Sequence, residues 1–89
     1  MRLSPPAWEV REIVEHTFQL LGLSEGELEE LTETILLQEG RYLARSYRAG
    51  NLMAMWLVEV GILQFYDDQG RMLRTINLLL EKKPARAAA

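Results

Sequence analysis

The sequence contains no cysteine, three prolines and a single histidine in 89 residues. Without cysteine the chain can form neither disulfides nor thiolate metal sites, which is typical of proteins from reducing compartments. Long hydrophobic runs are also missing, since the longest apolar stretch, Leu52 to Val58, is far shorter than the roughly 20 residues of a membrane-spanning helix. The segment after Met1 lacks the apolar run of a signal peptide. We therefore expect a cytoplasmic protein without membrane contact.

Charge is divided unevenly along the chain. Residues 1–39 carry nine carboxylates and two arginines, a net charge of −7, whereas residues 40–89 carry eight Lys or Arg and four carboxylates, a net charge of +4. The simplest interpretation is a set of acidic helices beside a basic sheet, attracting each other weakly through water. Head-to-tail association of two molecules, or an anionic partner at the sheet, would also fit this distribution.

The first third of the chain predicts two helices. Ser4-Pro5-Pro6 is a typical helix start, apolar residues then recur at helical spacing from Val10 to Leu21, and Gly22 ends the pattern. Ser24 and Glu27 form a capping-box pattern, which predicts a short second helix that ends near Leu31 or Thr32.

The remaining residues predict an antiparallel meander of about five strands, because glycine-containing turns divide an apolar region into pieces of strand length. The expected strands are Thr34–Gln38, Arg41–Arg48, Leu52–Glu59, Ile62–Asp67 and Arg71–Leu79. Residues 51–60 would also suit one buried helix, although the nearby Gly61 favours a strand. The fold class is therefore α+β, with residues 1–81 as a single domain and residues 82–89 as a flexible tail.

Several short motifs stand out in this region, namely Leu31-Thr32-Glu33-Thr34-Ile35-Leu36, Glu39-Gly40, Arg45, Ala54-Met55-Trp56 and Phe65-Tyr66-Asp67-Asp68-Gln69-Gly70. Together they resemble a segment of a family of small uncharacterised bacterial proteins. The resemblance covers about half of the chain and implies a β-rich segment and a bacterial source. That family has no assigned activity, so the resemblance transfers no functional residue.

Alternating positions in the predicted strands leave neither face of the sheet polar. The N-terminal helix offers one apolar stripe and covers one face, so the second face needs another cover. A second copy of the chain is the commonest solution, which predicts a homodimer. The candidate interface residues are Met53, Met55, Trp56, Leu57 and Phe65. The alternative is a strongly curled sheet that closes on itself as a barrel-like roll.

Catalytic and metal-binding patterns are weak. His16 shares a helix face with Glu12, but two groups are too few for a catalytic zinc site. Asp67 and Asp68 are more typical of turn chemistry than of a calcium loop. No serine has a recognisable base nearby in the sequence. We expect neither an enzyme nor a bound metal or cofactor.

Arginine and aromatic residues in the predicted sheet suggest another kind of partner. Arg41, Arg45, Tyr47 and Arg74 form the candidate set, because arginine and aromatic side chains on a sheet neutralise phosphates and stack on bases. The net charge of −3 argues against this interpretation. The sequence therefore favours a non-catalytic structural or protein-interaction module that forms homodimers and has another, unidentified protein as a possible partner. Binding of single-stranded nucleic acid is the alternative.

Overall fold

A computed structural model describes residues 5–78 of the chain. Two helices precede five strands, so the predicted α+β meander is confirmed. The elements are α1 (Ala7–Leu20), α2 (Glu25–Glu29), β1 (Thr32–Gln38), β2 (Arg41–Ala49), β3 (Leu52–Leu57), β4 (Ile62–Asp67) and β5 (Met72–Asn77). Neither helix in this range has the length and hydropathy needed to cross a membrane. The expected tail, residues 82–89, lies outside the described residues.

Helix α1 ends where the sequence predicts. Gly22 takes a φ of +112°, which lets its N–H bond the carbonyl of Gln19 at 3.0 Å while the N–H of Leu23 bonds the carbonyl of Phe18 at 3.0 Å. These two bonds form a Schellman motif and satisfy carbonyls that the last helical turn leaves open. At the other end, Pro6 occupies the N-cap position without a side-chain cap, and the predicted cap Ser4 lies outside the described residues.

Helix α2 carries the predicted capping box. The hydroxyl of Ser24 accepts the N–H of Glu27 at 3.2 Å, and the Glu27 carboxylate accepts the N–H of Ser24 at 2.9 Å. The helix ends at Glu29, two residues before the predicted end. It lies against the β2–β3 turn, where a Cβ on Gly50 would stand 2.9 Å from both Leu23 Cδ2 and Glu27 Oε2.

The five strands form one antiparallel sheet in sequence order, β1-β2-β3-β4-β5. Residues 52–57 are a strand, so the helical alternative for this segment is wrong. β1 and β5 lie at opposite edges and do not pair, which excludes closure into a barrel-like roll. The strand β3 stops at Leu57 instead of Glu59, because a four-residue turn carries the chain into β4.

The β4–β5 turn confirms the turn role expected for Asp67. Its Oδ1 accepts the N–H groups of Gln69 and Arg71, both at 2.9 Å, and Gly70 takes a φ of +82°. Bonds from the Arg71 and Gln69 backbone lower the pKa of Asp67, because they stabilise its charged form. This carboxylate is therefore committed to holding its own hairpin.

Two β-bulges interrupt the ladder. The pairing passes from Leu36 opposite Ala44 to Leu37 opposite Tyr42, which leaves Leu43 as an extra residue in β2. A second shift, from Phe65 opposite Arg74 to Tyr66 opposite Met72, leaves Leu73 extra in β5. Each bulge moves the residues beyond it to the other face of the sheet. Strict alternation along β2 therefore fails between Tyr42 and Ala44.

Helix α1 packs on one side of the sheet, which we call the covered face. Val10, Val14 and Phe18 of the helix are fully buried there, and the Phe18 and Phe65 rings meet edge to face with centroids 5.7 Å apart. Leu23 and Leu78 also belong to this core, and the strands contribute Tyr47, Ala49, Leu52, Ala54, Trp56, Leu63 and Phe65. The other side, which we call the open face, contributes no residue to the core cluster.

Candidate interaction surface

The open face is organised in three rows that run across the strands. Cross-strand pairing gives each row its members because residues opposite one another share a face. The first row is Leu36, Ala44, Leu57, Ile62 and Asn77; the second is Thr34, Ser46, Met55, Gln64 and Thr75; the third is Thr32, Arg48, Met53, Tyr66 and Met72. The first row is almost entirely apolar, and the second is mostly polar.

Apolar side chains remain accessible along this face. At its two edges Leu36 and Met72 are each 53% exposed, and at its centre Met53, Met55 and Leu57 are half-buried. No helix among residues 5–78 packs over them. The expectation that neither face is polar is correct only in part, because Ser46, Gln64 and threonines separate the apolar rows.

Only three of the five predicted interface residues lie on the open face. Met53, Met55 and Leu57 do, and they form its centre. Trp56 and Phe65 point to the covered face, where they are 3% and 0% exposed. The reason is that α1 and the neighbouring strands already enclose both rings. Neither aromatic side chain therefore offers surface to a partner.

A polar cluster lies at the β1–β2 side of the covered face. Glu33 pairs with both Arg11 of α1 and Arg45 of β2. The Nε of Arg45 donates to the Tyr42 hydroxyl at 2.6 Å, and its guanidinium lies 5.3 Å from the centre of the Tyr42 ring. The Tyr42 ring in turn meets Trp56 edge to face, with centroids 6.3 Å apart. The bulge at Leu43 makes this cluster possible because it turns Tyr42 to the covered face.

The surroundings of this cluster shift the pKa values of Arg45 and Tyr47. Burial disfavours the charge on Arg45, but the hydrogen bonds to Glu33 and Tyr42 outweigh it and raise the pKa of Arg45. Burial also raises the pKa of the Tyr47 hydroxyl, and the nearby Glu33 carboxylate adds to the shift. Among the described residues neither this hydroxyl nor the Trp56 Nε1 has a hydrogen-bond partner. The cluster stabilises the fold and presents no reactive group.

The candidate nucleic-acid residues do not form one surface. Arg41 pairs with Glu59 and, beyond the bulge, lies on the open face; Arg45 is 18% exposed and bound to Glu33. Tyr47 is fully buried. Arg74 lies at the opposite edge of the sheet, in a groove with two glutamates. The structure therefore separates the groups that a phosphate backbone would have to contact together.

A groove of about 740 Å³ runs between α1 and the edge strand β5. Its lining comprises Glu9, Glu12, Ile13, His16, Thr17, Leu20, Arg74, Thr75 and Ile76. The Glu12–His16 pair predicted from the sequence lies on its helical wall. No group of three or more metal-ligating side chains occurs among residues 5–78. Sequence reasoning missed this groove, because the contact between α1 and β5 depends on the sheet order.

Comparison with known proteins identifies no relative of this chain. No family model matches the sequence, and neither a curated protein nor a solved structure matches it. The resemblance to a family of small bacterial proteins stays a prediction. The open face, the polar cluster and the groove are therefore interpreted from their own chemistry.

Proposed function

We propose that this chain is a non-catalytic protein-interaction module that forms a homodimer through the open face of its sheet. The observation that carries the proposal is the uncovered apolar row of Leu36, Leu57 and Ile62, together with the half-buried Met53 and Met55. Burying a large apolar side chain contributes about 1.5–3 kcal/mol, and roughly half of that for a side chain that is already half-buried. Several such side chains together supply a favourable contact.

The chemistry of the open face favours a second copy as the partner. Arg48 is the only charged side chain within the three rows, and Arg41, which lies just beyond them, is paired with Glu59. Two such faces meet without a buried charge at their centres, and their serine, threonine and glutamine side chains provide donors and acceptors. Face-to-face packing of two sheets is a common arrangement, and twofold dimers are the commonest assemblies.

A non-catalytic role is supported by the bonds that two carboxylates, Glu33 and Asp67, already make within the fold. Glu33 is held between two arginines, and Asp67 is held by its own turn. Both carboxylates are therefore engaged in bonds that maintain the fold.

The oligomeric state tests the proposal directly. Light scattering after gel filtration at micromolar concentration should give twice the chain mass of 10.3 kDa. Met55→Asp places a charge at the centre of the open face and should shift the protein to monomers, with the dissociation constant at least about tenfold higher. Met55 is partly exposed, so the variant should keep the circular dichroism of the wild type.

Trp8→Asp is the matched control. Trp8 is an exposed residue of α1, which packs on the covered face, so this variant should remain dimeric. A wild-type mass of about 10 kDa at this concentration would contradict the proposal. So would a dimer that both variants weaken equally.

A further inference from the structure

The groove between α1 and β5 lies on the covered side of the sheet, opposite the proposed dimer face. Its floor is apolar, with the half-buried Ile13 and Ile76 beside the exposed Leu20. The volume of about 740 Å³ lies within the range of 300–1,000 Å³ that is usual for ligand-binding clefts. This site is therefore independent of the open face.

The lining of the groove shows that it reaches the edge of the sheet. By the register with β4, Arg74 and Ile76 belong to the covered face, whereas Thr75 belongs to the open face. All three nevertheless line the groove. β5 is the last strand of the sheet, so the groove runs beside an edge strand. Among residues 5–78 no strand pairs with that edge.

The backbone of an unpaired edge strand offers a row of N–H and C=O groups to an additional strand. A helix that runs beside such an edge creates a slot for an extended peptide, which gains main-chain hydrogen bonds from the strand and side-chain contacts from the helix. Helix α1 and strand β5 provide both parts of this arrangement. The groove is therefore better suited to an extended chain than to a compact ligand.

The side chains of the groove indicate the composition of the peptide. Glu12 lies on the helical wall of the groove and Arg74 on the strand. Glu12 is exposed and forms no ion pair with another residue in the range 5–78. Alternate side chains of an added strand would face this wall, so basic residues there would pair with Glu12 and apolar ones would contact Leu20 and Ile13.

We propose that the groove binds an extended segment of another protein, which adds to β5 as a sixth strand and carries alternating apolar and Lys or Arg side chains. The test is fluorescence anisotropy with a labelled peptide of about ten residues in which valine and lysine alternate. Binding should saturate with a micromolar dissociation constant. In an NMR titration, amide shifts should concentrate in β5 and α1.

Two altered peptides separate strand addition from simple charge attraction. A peptide with N-methyl groups at alternate positions keeps every lysine but loses the donors that face β5, and its binding should be lost. A peptide with glutamate in place of lysine should also fail to bind. Equal binding of the N-methylated and unmodified peptides would overturn the proposal.

Protein variants locate the site. Glu12→Lys should raise the dissociation constant about tenfold, because it places a like charge against the peptide. Glu29→Lys makes the same charge change on an exposed residue of α2 and should leave affinity unchanged. Equal effects of the two variants, or no saturable binding to the wild type, would overturn the proposal. Met55→Asp should retain peptide binding, so failure of the dimer and failure of this site are distinguishable.

Discussion

Two tyrosines on β2 differ in whether their hydroxyl has a hydrogen-bond partner. The Tyr42 hydroxyl accepts a 2.6 Å hydrogen bond from Arg45. The Tyr47 hydroxyl is buried and has no partner among the described residues. A buried polar group without a partner costs about 1–3 kcal/mol of desolvation, whereas a bond to a charged group contributes about 1.5–3 kcal/mol. The two hydroxyls should therefore have opposite effects on stability.

Tyr47→Phe should increase the free energy of unfolding by about 1 kcal/mol, because it removes an unpaired hydroxyl and keeps the ring in the core. Tyr42→Phe is the matched control and should lower it by about 1–2 kcal/mol, since Arg45 loses an acceptor. Urea denaturation followed by circular dichroism measures both values. A loss of stability in Tyr47→Phe as large as that in Tyr42→Phe would show that the Tyr47 hydroxyl is bonded.

At the level of elements, local signals in the sequence predicted the turns and the strands. Gly22, the Ser24–Glu27 box and the Asp67–Gly70 turn each impose a backbone geometry on their immediate neighbours, so sequence alone was sufficient there. The bulge at Leu43 was not predicted. It places Arg41 on the opposite face from Arg45 and Tyr42 beside Trp56, the reverse of strict alternation. A bulge depends on the pairing of two strands, which no single strand reveals.

The contact between α2 and the β2–β3 turn depends on Gly50. Its φ is +55°, and an added Cβ would lie 2.9 Å from Leu23 Cδ2 and Glu27 Oε2. Gly50→Ala should therefore lower the free energy of unfolding by about 2 kcal/mol, from the left-handed backbone and from displaced side chains. Chemical denaturation measures the change.

Gly40→Ala separates the two contributions. Gly40 has a φ of +76°, but no atom lies within 4 Å of its added Cβ. That variant should lose only about 1 kcal/mol, the cost of the backbone alone. Equal losses of stability in the two variants would mean that α2 moves away from the added methyl group without lowering the free energy of unfolding.

At the scale of the whole molecule, three of the five interface residues predicted from the sequence lie on the open face. Alternation placed Met53, Met55 and Leu57 on one face, and the structure confirms this placement. Trp56 and Phe65 lie on the covered face instead. Their burial depends on where α1 lies across the sheet, which the sequence does not specify. The groove beside β5 also depends on the position of α1, so the sequence did not predict it.

Among residues 5–78 the uneven charge of the chain does not give ion pairs between helix carboxylates and sheet arginines. In the same range, the one ion pair between a helix and the sheet has the opposite polarity, with Arg11 on the helix and Glu33 on the sheet. The remaining pairs join neighbouring turns and strands or residues within α1. Exposed pairs of this kind contribute little, about 0–1 kcal/mol each.

Salt therefore distinguishes the proposed dimer from head-to-tail association of the acidic and basic halves. The dimer should persist or tighten between 0.1 and about 1 M NaCl, because an apolar contact is not screened. Sedimentation velocity at both salt concentrations measures this. Dissociation at high salt would favour head-to-tail association.

The two outer strands differ in basic charge, because β5 contains Arg74 and β1 contains no basic residue. In β1 three consecutive apolar residues, Ile35, Leu36 and Leu37, are exposed, while the strand contains no lysine, arginine or proline. Such a segment is a template for intermolecular β-pairing, since nothing on it repels an incoming chain. Fibrils formed on prolonged storage would therefore start from β1, and Leu37→Lys, at an exposed position outside the three rows of the open face, would be the first change to make for a longer shelf life.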